Sequence, residues 1–258
     1  MPHIETRAGR IAVEVTGQGP AVFLLPANGH FLRDYDALVP RLSGRKIIAI
    51  DWPGFGGSDL PAQPATARLF YDVFCDVFDR MATGPAALIG HSVGGMVSVR
   101  FAAERPQDVE RIAIVNSGGF TPQTWFTRTI CRVIGNDRVI RAITPRFTRW
   151  YVKDRGPLAC EAIERARTKS RASLAVEAAV WRSFARPDAS VLDVAAQVRA
   201  PALIVHGSRD PVVGIADARR AHGSIEGSRL VELATGHAPM LEAPDAFATE
   251  VVPFLSER

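Results

Sequence analysis

A short apolar run, Ala86-Ala87-Leu88-Ile89, breaks at Gly90-His91-Ser92-Val93-Gly94-Gly95 and passes directly into a helix-like stretch beginning near Val93. Few backbone shapes join a strand to a helix with no loop between them. Glycines on either side of Ser92 supply what such a turn needs, because without Cβ atoms they let the chain bend sharply and lift the serine hydroxyl clear of the sheet. The helix that follows aims its free amide groups at the same spot, where negative charge is stabilised. Ser92 is therefore a candidate nucleophile. Three fixed positions recur by chance in many chains, so the partners of Ser92 have to carry the argument.

Those partners lie downstream in a definite order. The apolar run Pro201-Ala202-Leu203-Ile204-Val205 leads into His206-Gly207-Ser208-Arg209-Asp210-Pro211, a strand end followed by a turn with an acidic residue. The run Arg229-Leu230-Val231-Glu232-Leu233 leads into Ala234-Thr235-Gly236-His237-Ala238-Pro239. Ser92, Asp210 and His237 thus each stand just past a candidate strand. In a parallel sheet those ends share one edge, so residues far apart in sequence can converge there.

The rest of the chain alternates in the same way. Ile4 and Thr6, then Ile11, Val13 and Val15, read as a leading hairpin turned at Ala8-Gly9. Strands follow at Ala21 to Leu25, Lys46 to Ile50 and Arg111 to Val115, with helices near Leu32 to Leu42 and Thr66 to Met81 and another from Val93 to about Glu104. Strands alternating with helices predict βαβ units and a mostly parallel sheet. Between about Phe120 and Ala200 the strands stop, and helix-like stretches occupy Trp125 to Ile134, Arg138 to Trp150, Leu158 to Ser170 and Leu174 to Phe184. An insertion of this length needs its own structure.

With these elements in order, the chain resembles a member of the α/β-hydrolase superfamily over nearly its whole length. Three further segments carry the resemblance: Phe23-Leu24-Leu25-Pro26-Ala27-Asn28-Gly29, Asp51-Trp52-Pro53-Gly54-Phe55-Gly56-Gly57-Ser58-Asp59, and Gly236-His237-Ala238-Pro239-Met240-Leu241-Glu242-Ala243-Pro244. The resemblance implies an α/β fold, a mostly parallel twisted eight-stranded sheet flanked by helices. Residues 1–119 and 200–258 would form its core and 120–199 a helical lid. It also implies a Ser92-His237-Asp210 triad, with His237 as base and Asp210 fixing its tautomer. The oxyanion donors carry over to the backbone N–H groups of Val93 and Asn28. Relatives often have His-Gly where this chain has Pro26-Ala27, which leaves Ala27 as an alternative to Asn28. Asn116 falls where some relatives place a catalytic acid; as an amide it lacks the charge, and Asp210 keeps the role.

Composition narrows the function classes. At 258 residues and 47% hydrophobic content, one α/β domain with a large core is expected. The net charge of +4 is modest, and no lysine-rich run or zinc-finger spacing points to nucleic acid. Cys75, Cys131 and Cys160 are odd in number and widely spaced, unlike a disulfide framework or a metal cluster. No metal or cofactor is called for. The N-terminal residues lack signal-peptide features and no apolar run approaches the roughly eighteen residues of a membrane span, so a cytoplasmic location is expected.

The expected activity is hydrolysis of a carboxylic ester of a small apolar or aromatic substrate through an acyl-enzyme. Carbon–carbon hydrolysis of a β-diketone or vinylogous acid uses the same triad in relatives, and a ligand-binding receptor is the non-catalytic alternative. Trp125, Trp150 and Trp181 are candidate substrate contacts from the lid. Residues 120–199 carry fifteen Arg or Lys against seven Asp or Glu, a surplus that reads either as a solvated helix surface or as an attraction for an anionic substrate or partner. His30 is expected to be a solvated loop histidine and His91 to pack beside the sheet.

Overall fold

The computed structural model describes residues 2–257. Two antiparallel strands, β1 (His3–Thr6) and β2 (Gly9–Thr16), open the chain and form one edge of an eight-stranded sheet. β3 (Ala21–Leu25), β4 (Lys46–Ile50), β5 (Ala86–His91), β6 (Val109–Val115), β7 (Ala202–Gly207) and β8 (Arg229–Leu233) complete it in the order β1-β2-β4-β3-β5-β6-β7-β8. The β1–β2 and β2–β4 pairs are antiparallel, and every other pair of neighbours in the sheet is parallel.

Strand side chains alternate between the two faces, and each face has its own core. Phe23, Leu25, Ile48, Leu88 and Ile112 pack under α1 (Ala67–Met81) and α2 (Val93–Glu104). Val22, Leu24, Ile47, Ile89 and Leu203 pack on the other face. α1 begins where Thr66 accepts a hydrogen bond from Leu69 N at 2.9 Å, and it turns Phe70, Val73, Phe74, Val77 and Phe78 inward. Phe74 meets Phe23 edge-on at 5.5 Å. Truncating such a buried aromatic to alanine costs about 3–5 kcal/mol.

Four helices separate β6 from β7: α3 (Trp125–Ile134), α4 (Asp137–Tyr151), α5 (Pro157–Arg167) and α6 (Arg171–Ser183). Asn136 caps α4 and Ser170 caps α6, each through a side-chain oxygen that satisfies otherwise free backbone amides. The C-terminal part adds α7 (Ile215–Ser224), α8 (Pro239–Glu242) and α9 (Pro244–Ser256), none of which the apolar patterning singles out.

One expected element is different. Leu32 to Leu42 does not form a single helix but two short 3-10 turns, Leu32–Tyr35 and Val39–Arg41. In a continuous α-helix Pro40 would lack the amide that bonds to the Asp36 carbonyl and its ring would clash with that carbonyl. The first turn is instead held by Asp51, whose Oδ1 accepts from Leu32 N at 2.9 Å while Oδ2 accepts from Gly57 N at 3.1 Å.

Candidate active site

Ser92 occupies the turn between β5 and α2 with φ +54° and ψ −110°, a backbone conformation that L residues seldom adopt. The surroundings demand it. A Cβ on Gly94 would come within 2.2 Å of the Leu25 carbonyl, and one on Gly90 within 2.3 Å of the Gly94 carbonyl. Ser92 N donates to Val115 O at 2.9 Å, and Ser92 O accepts from Gly118 N and Met96 N at 3.1 Å each. Strain at this residue is therefore held by bonds to the neighbouring strand end and to the helix below.

Asp210 follows β7 and His237 follows β8, and parallel pairing of β5 to β8 puts both on the edge where Ser92 stands. His237 Nδ1 and Asp210 Oδ2 are 2.7 Å apart, with both side chains almost wholly buried. An ionised carboxylate can only accept, so Nδ1 carries the proton and Nε2 is left unprotonated in the neutral ring. Asp210 also accepts from Val212 N at 2.7 Å and Val213 N at 3.2 Å through Oδ1, and from the Asn116 side-chain amide through Oδ2. Burial works to raise its pKa, but the neighbouring His237 and these donors outweigh burial and hold the carboxyl below the usual range.

Asn116 has φ +42° at the end of β6, and its side chain bridges neighbouring loops: Oδ1 accepts from Gly207 N at 3.1 Å, and Nδ2 donates to Asp210 and to Gly236 O at 3.3 Å. The residue that lacks the charge of an acid thus contributes a donor to the acid that is present. The His237 loop is organised by buried Glu242, which accepts from Gly236 N at 2.8 Å, Ala238 N at 3.0 Å and Lys153 N at 2.7 Å. The backbone N of His237 in turn donates to Tyr151 O, at the end of α4, at 3.0 Å.

Ser92, His237, Ala27 and Asn28 line one small cavity, so the structure brings these four together. Val93 is the first residue of α2, where the N–H has no acceptor within the helix. Among the described residues no acceptor takes the Asn28 backbone N–H either, while its side-chain Nδ2 donates to Glu177 O at 3.1 Å. A larger cavity of about 180 Å³ opens beside Ser92, walled by Thr127, Ile130, Cys131, Trp181, Phe184 and Val213 among others, with no charged side chain in its lining.

Of the three tryptophans expected at the substrate, only Trp181 lines these cavities. Trp125 is 79% exposed at the start of α3, and Trp150 is 50% exposed, stacked on Phe147 at 5.7 Å. Their helices turn these positions outward, so both expectations are corrected.

His30 is not solvated either. It is 5% exposed, its Nδ1 bonds Asp34, its Nε2 meets Tyr151 Oη at 2.7 Å, and Arg165 donates to the other Asp34 oxygen at 2.9 Å. The spacing of His30 and Asp34, four residues apart before a turn, is the one signal that could have suggested this pair. His91 is buried between His30 and His237, with Nε2 2.7 Å from the His237 carbonyl. Burial, with help from the two neighbouring histidines, pushes its pKa well below the usual value and keeps it neutral. Lys169 and Glu177 form a buried ion pair at 2.8 Å beside the cavity. Among the described residues no group of three or more His, Cys, Asp or Glu is placed to hold a metal.

A strained serine at a strand-to-helix turn and a buried Asp–His pair on the same sheet edge define the α/β-hydrolase architecture. The chain belongs to the alpha/beta hydrolase family, whose sequence model matches residues 22–250. It is similar to (E)-2-((N-methylformamido)methylene)succinate hydrolase of Acinetobacter baylyi, 27% identical over 77% of this chain and 76% of that protein. Among solved structures, the enol-lactonase of Burkholderia xenovorans LB400 superposes with a TM-score of 0.85 over 99% of this chain and all of that one, at 24% identity. An esterase from Exiguobacterium antarcticum gives 0.85 over 99% of both chains at 20% identity. No helix among the described residues is long and apolar enough to cross a membrane.

Proposed function

We propose that this protein is a serine hydrolase that cleaves a carboxylic ester with an uncharged apolar or aromatic acyl group, with Ser92, His237 and Asp210 as its triad and α3 to α6 as a lid over the site. The observation that carries the reading is the 2.7 Å Asp210–His237 contact, with His237 lining a cavity that it shares with a conformationally strained Ser92. In this reading Ser92 Oγ attacks the ester carbonyl and passes its proton to His237 Nε2. Asp210 stabilises the imidazolium that forms, and the N–H groups of Val93 and Asn28 receive the oxyanion. The imidazolium then gives its proton to the departing alcohol, and a water activated by the same histidine frees the acid. Esterase and enol-lactonase activities among the structural neighbours agree with acyl transfer from oxygen.

The acyl preference rests on the larger cavity. A volume of about 180 Å³ without charges exceeds the roughly 150 Å³ in which benzene binds in an engineered protein cavity. Lys169, beside Gly29, is already paired with Glu177 and is not free to receive a second carboxylate. The test is labelling by a fluorophosphonate together with hydrolysis of p-nitrophenyl acetate, butyrate, benzoate and hemisuccinate. Labelling at Ser92 and a higher kcat/KM for the neutral apolar esters than for the hemisuccinate are expected. Absence of labelling removes the mechanism, and preference for the hemisuccinate removes the substrate class.

A further inference from the structure

The arginines of this chain fall into two populations. Around the sheet most are paired, as in Arg7 with Asp76, Arg10 with Asp59, Arg45 with Glu110 and Arg105 with Asp108. On α3 and α4 they are not. Among the described residues Arg128, Arg132, Arg138, Arg141, Arg146 and Arg149 make no ion pair, and the only acid on the two helices, Asp137, is engaged by Arg182. Arg132, Arg138 and Arg141 gather around one open groove at the α3–α4 turn.

The same two helices hold five of the eight large apolar side chains that stand exposed among the described residues: Trp125, Phe126, Ile130, Val133 and Trp150. Phe126, Ile130 and Val133 repeat at helical spacing and make a stripe along the outer face of α3. No residue of α3 is fully buried. Exposed aromatics and aliphatics beside unpaired arginines cost solubility and self-repulsion unless something covers both at once.

We infer that the outer face of α3, with the arginine groove at the α3–α4 turn, docks on an anionic lipid bilayer. The apolar stripe would enter the boundary between headgroups and acyl chains, and the arginines would meet lipid phosphates, the arrangement by which amphipathic basic helices lie on membranes. Charge complementarity selects this occupant. A second copy approaching through the same face would oppose arginines to arginines, and a nucleic acid would leave Ile130 and Val133 without an apolar partner. Through Thr127 and Cys131, and through Ile130 at the edge of the stripe, α3 also forms a wall of the cavity beside Ser92, so docking places the helix that bears this wall at the lipid surface.

Co-sedimentation of the full chain with vesicles tests this, using pure phosphatidylcholine and about three parts phosphatidylcholine to one part phosphatidylglycerol. Binding to the mixed vesicles at about 0.05 M salt and release at about 0.5 M is expected, with little binding to phosphatidylcholine alone. Arg138→Gln with Arg141→Gln should weaken binding about tenfold or more. Phe126→Ser with Val133→Ser should weaken it as well, with an unchanged melting temperature because both side chains are exposed. Ser92→Ala should bind as the parent chain does, which separates docking from catalysis. The proposal fails if mixed vesicles are not bound, if both kinds of vesicle bind alike, or if the four substitutions leave binding unaltered. It also fails if polyuridylate binds this face and displaces the vesicles, or if Phe126→Ser with Val133→Ser instead dissolves an oligomer of the free protein.

Discussion

Asn116 donates its side-chain amide to the oxygen of Asp210 that also accepts from His237 Nδ1. One carboxylate oxygen thus has two donors, one on His237 and one at the end of β6. Asn116→Gly keeps the backbone conformation at φ +42°, which glycine adopts freely, and removes the amide. A hydrogen bond to a charged group contributes about 1.5–3 kcal/mol. The variant is expected to lose about tenfold or more in kcat for p-nitrophenyl butyrate, with little change in KM; unchanged kcat would show that the donor does not support the acid.

Ser92→Ala should abolish fluorophosphonate labelling and lower kcat by at least about a thousandfold with the fold intact. His237→Ala should cost a similar factor. The double variant should be hardly worse than either single one, because groups that act as a unit are not additive. Multiplying losses in the double variant, measured by steady-state hydrolysis, would contradict a shared step.

Stability should fall with acid in two stages. His91 is held neutral in the fold by burial and by its histidine neighbours, and His206 is lowered by burial, whereas both protonate near pH 6.5 when unfolded. The unfolded chain therefore binds more protons below about pH 6.5, and the free energy of unfolding decreases as pH drops through that value. Asp210 and Asp34, both lowered in the fold, contribute stability that is fully present above about pH 4 and is lost as pH falls through their folded values. Urea unfolding followed from about pH 8 to about pH 2 reads both stages. His91→Gln should flatten the upper one, and an unchanged slope in that variant would reassign it.

Glycine substitutions separate close approach from open space. Gly94→Ala drives a Cβ against the Leu25 carbonyl at 2.2 Å and should leave little folded protein. At Gly223, inside α7, an added Cβ would meet nothing within 4 Å, and the backbone there has no unusual angle, so Gly223→Ala should stabilise by about 0.5–1 kcal/mol. Thermal melts of the two variants check both, and equal effects would refute the steric argument at Gly94.

What could be read in the sequence follows from how local each cause is. The turn at Ser92 was legible because glycine spacing and an abrupt change of hydrophobic period both lie within ten residues. The positions of Asp210 and His237 were legible for a different reason: each ends an apolar run, and parallel pairing of runs puts their ends on one edge. The helix expected from Leu32 to Leu42 followed the apolar spacing and neglected Pro40. Burial of His30 depends on Tyr151 and Arg165, more than a hundred residues away, and nothing near His30 announces them. Trp125, Trp150 and Trp181 look alike in sequence, since periodicity identifies a helix face but not the neighbour that covers it.

The bond from His237 N to Tyr151 O ties the loop bearing the histidine to the end of α4, and a Cβ on Gly236 would lie only 2.0 Å from that same carbonyl. Residues 120–199 are therefore not an exchangeable module throughout. Grafting a foreign cap to alter substrate range can replace α3 and the start of α4 without touching the histidine loop. A junction moved past Tyr151 severs a backbone anchor of that loop, and the graft then changes the geometry of His237 along with the shape of the pocket.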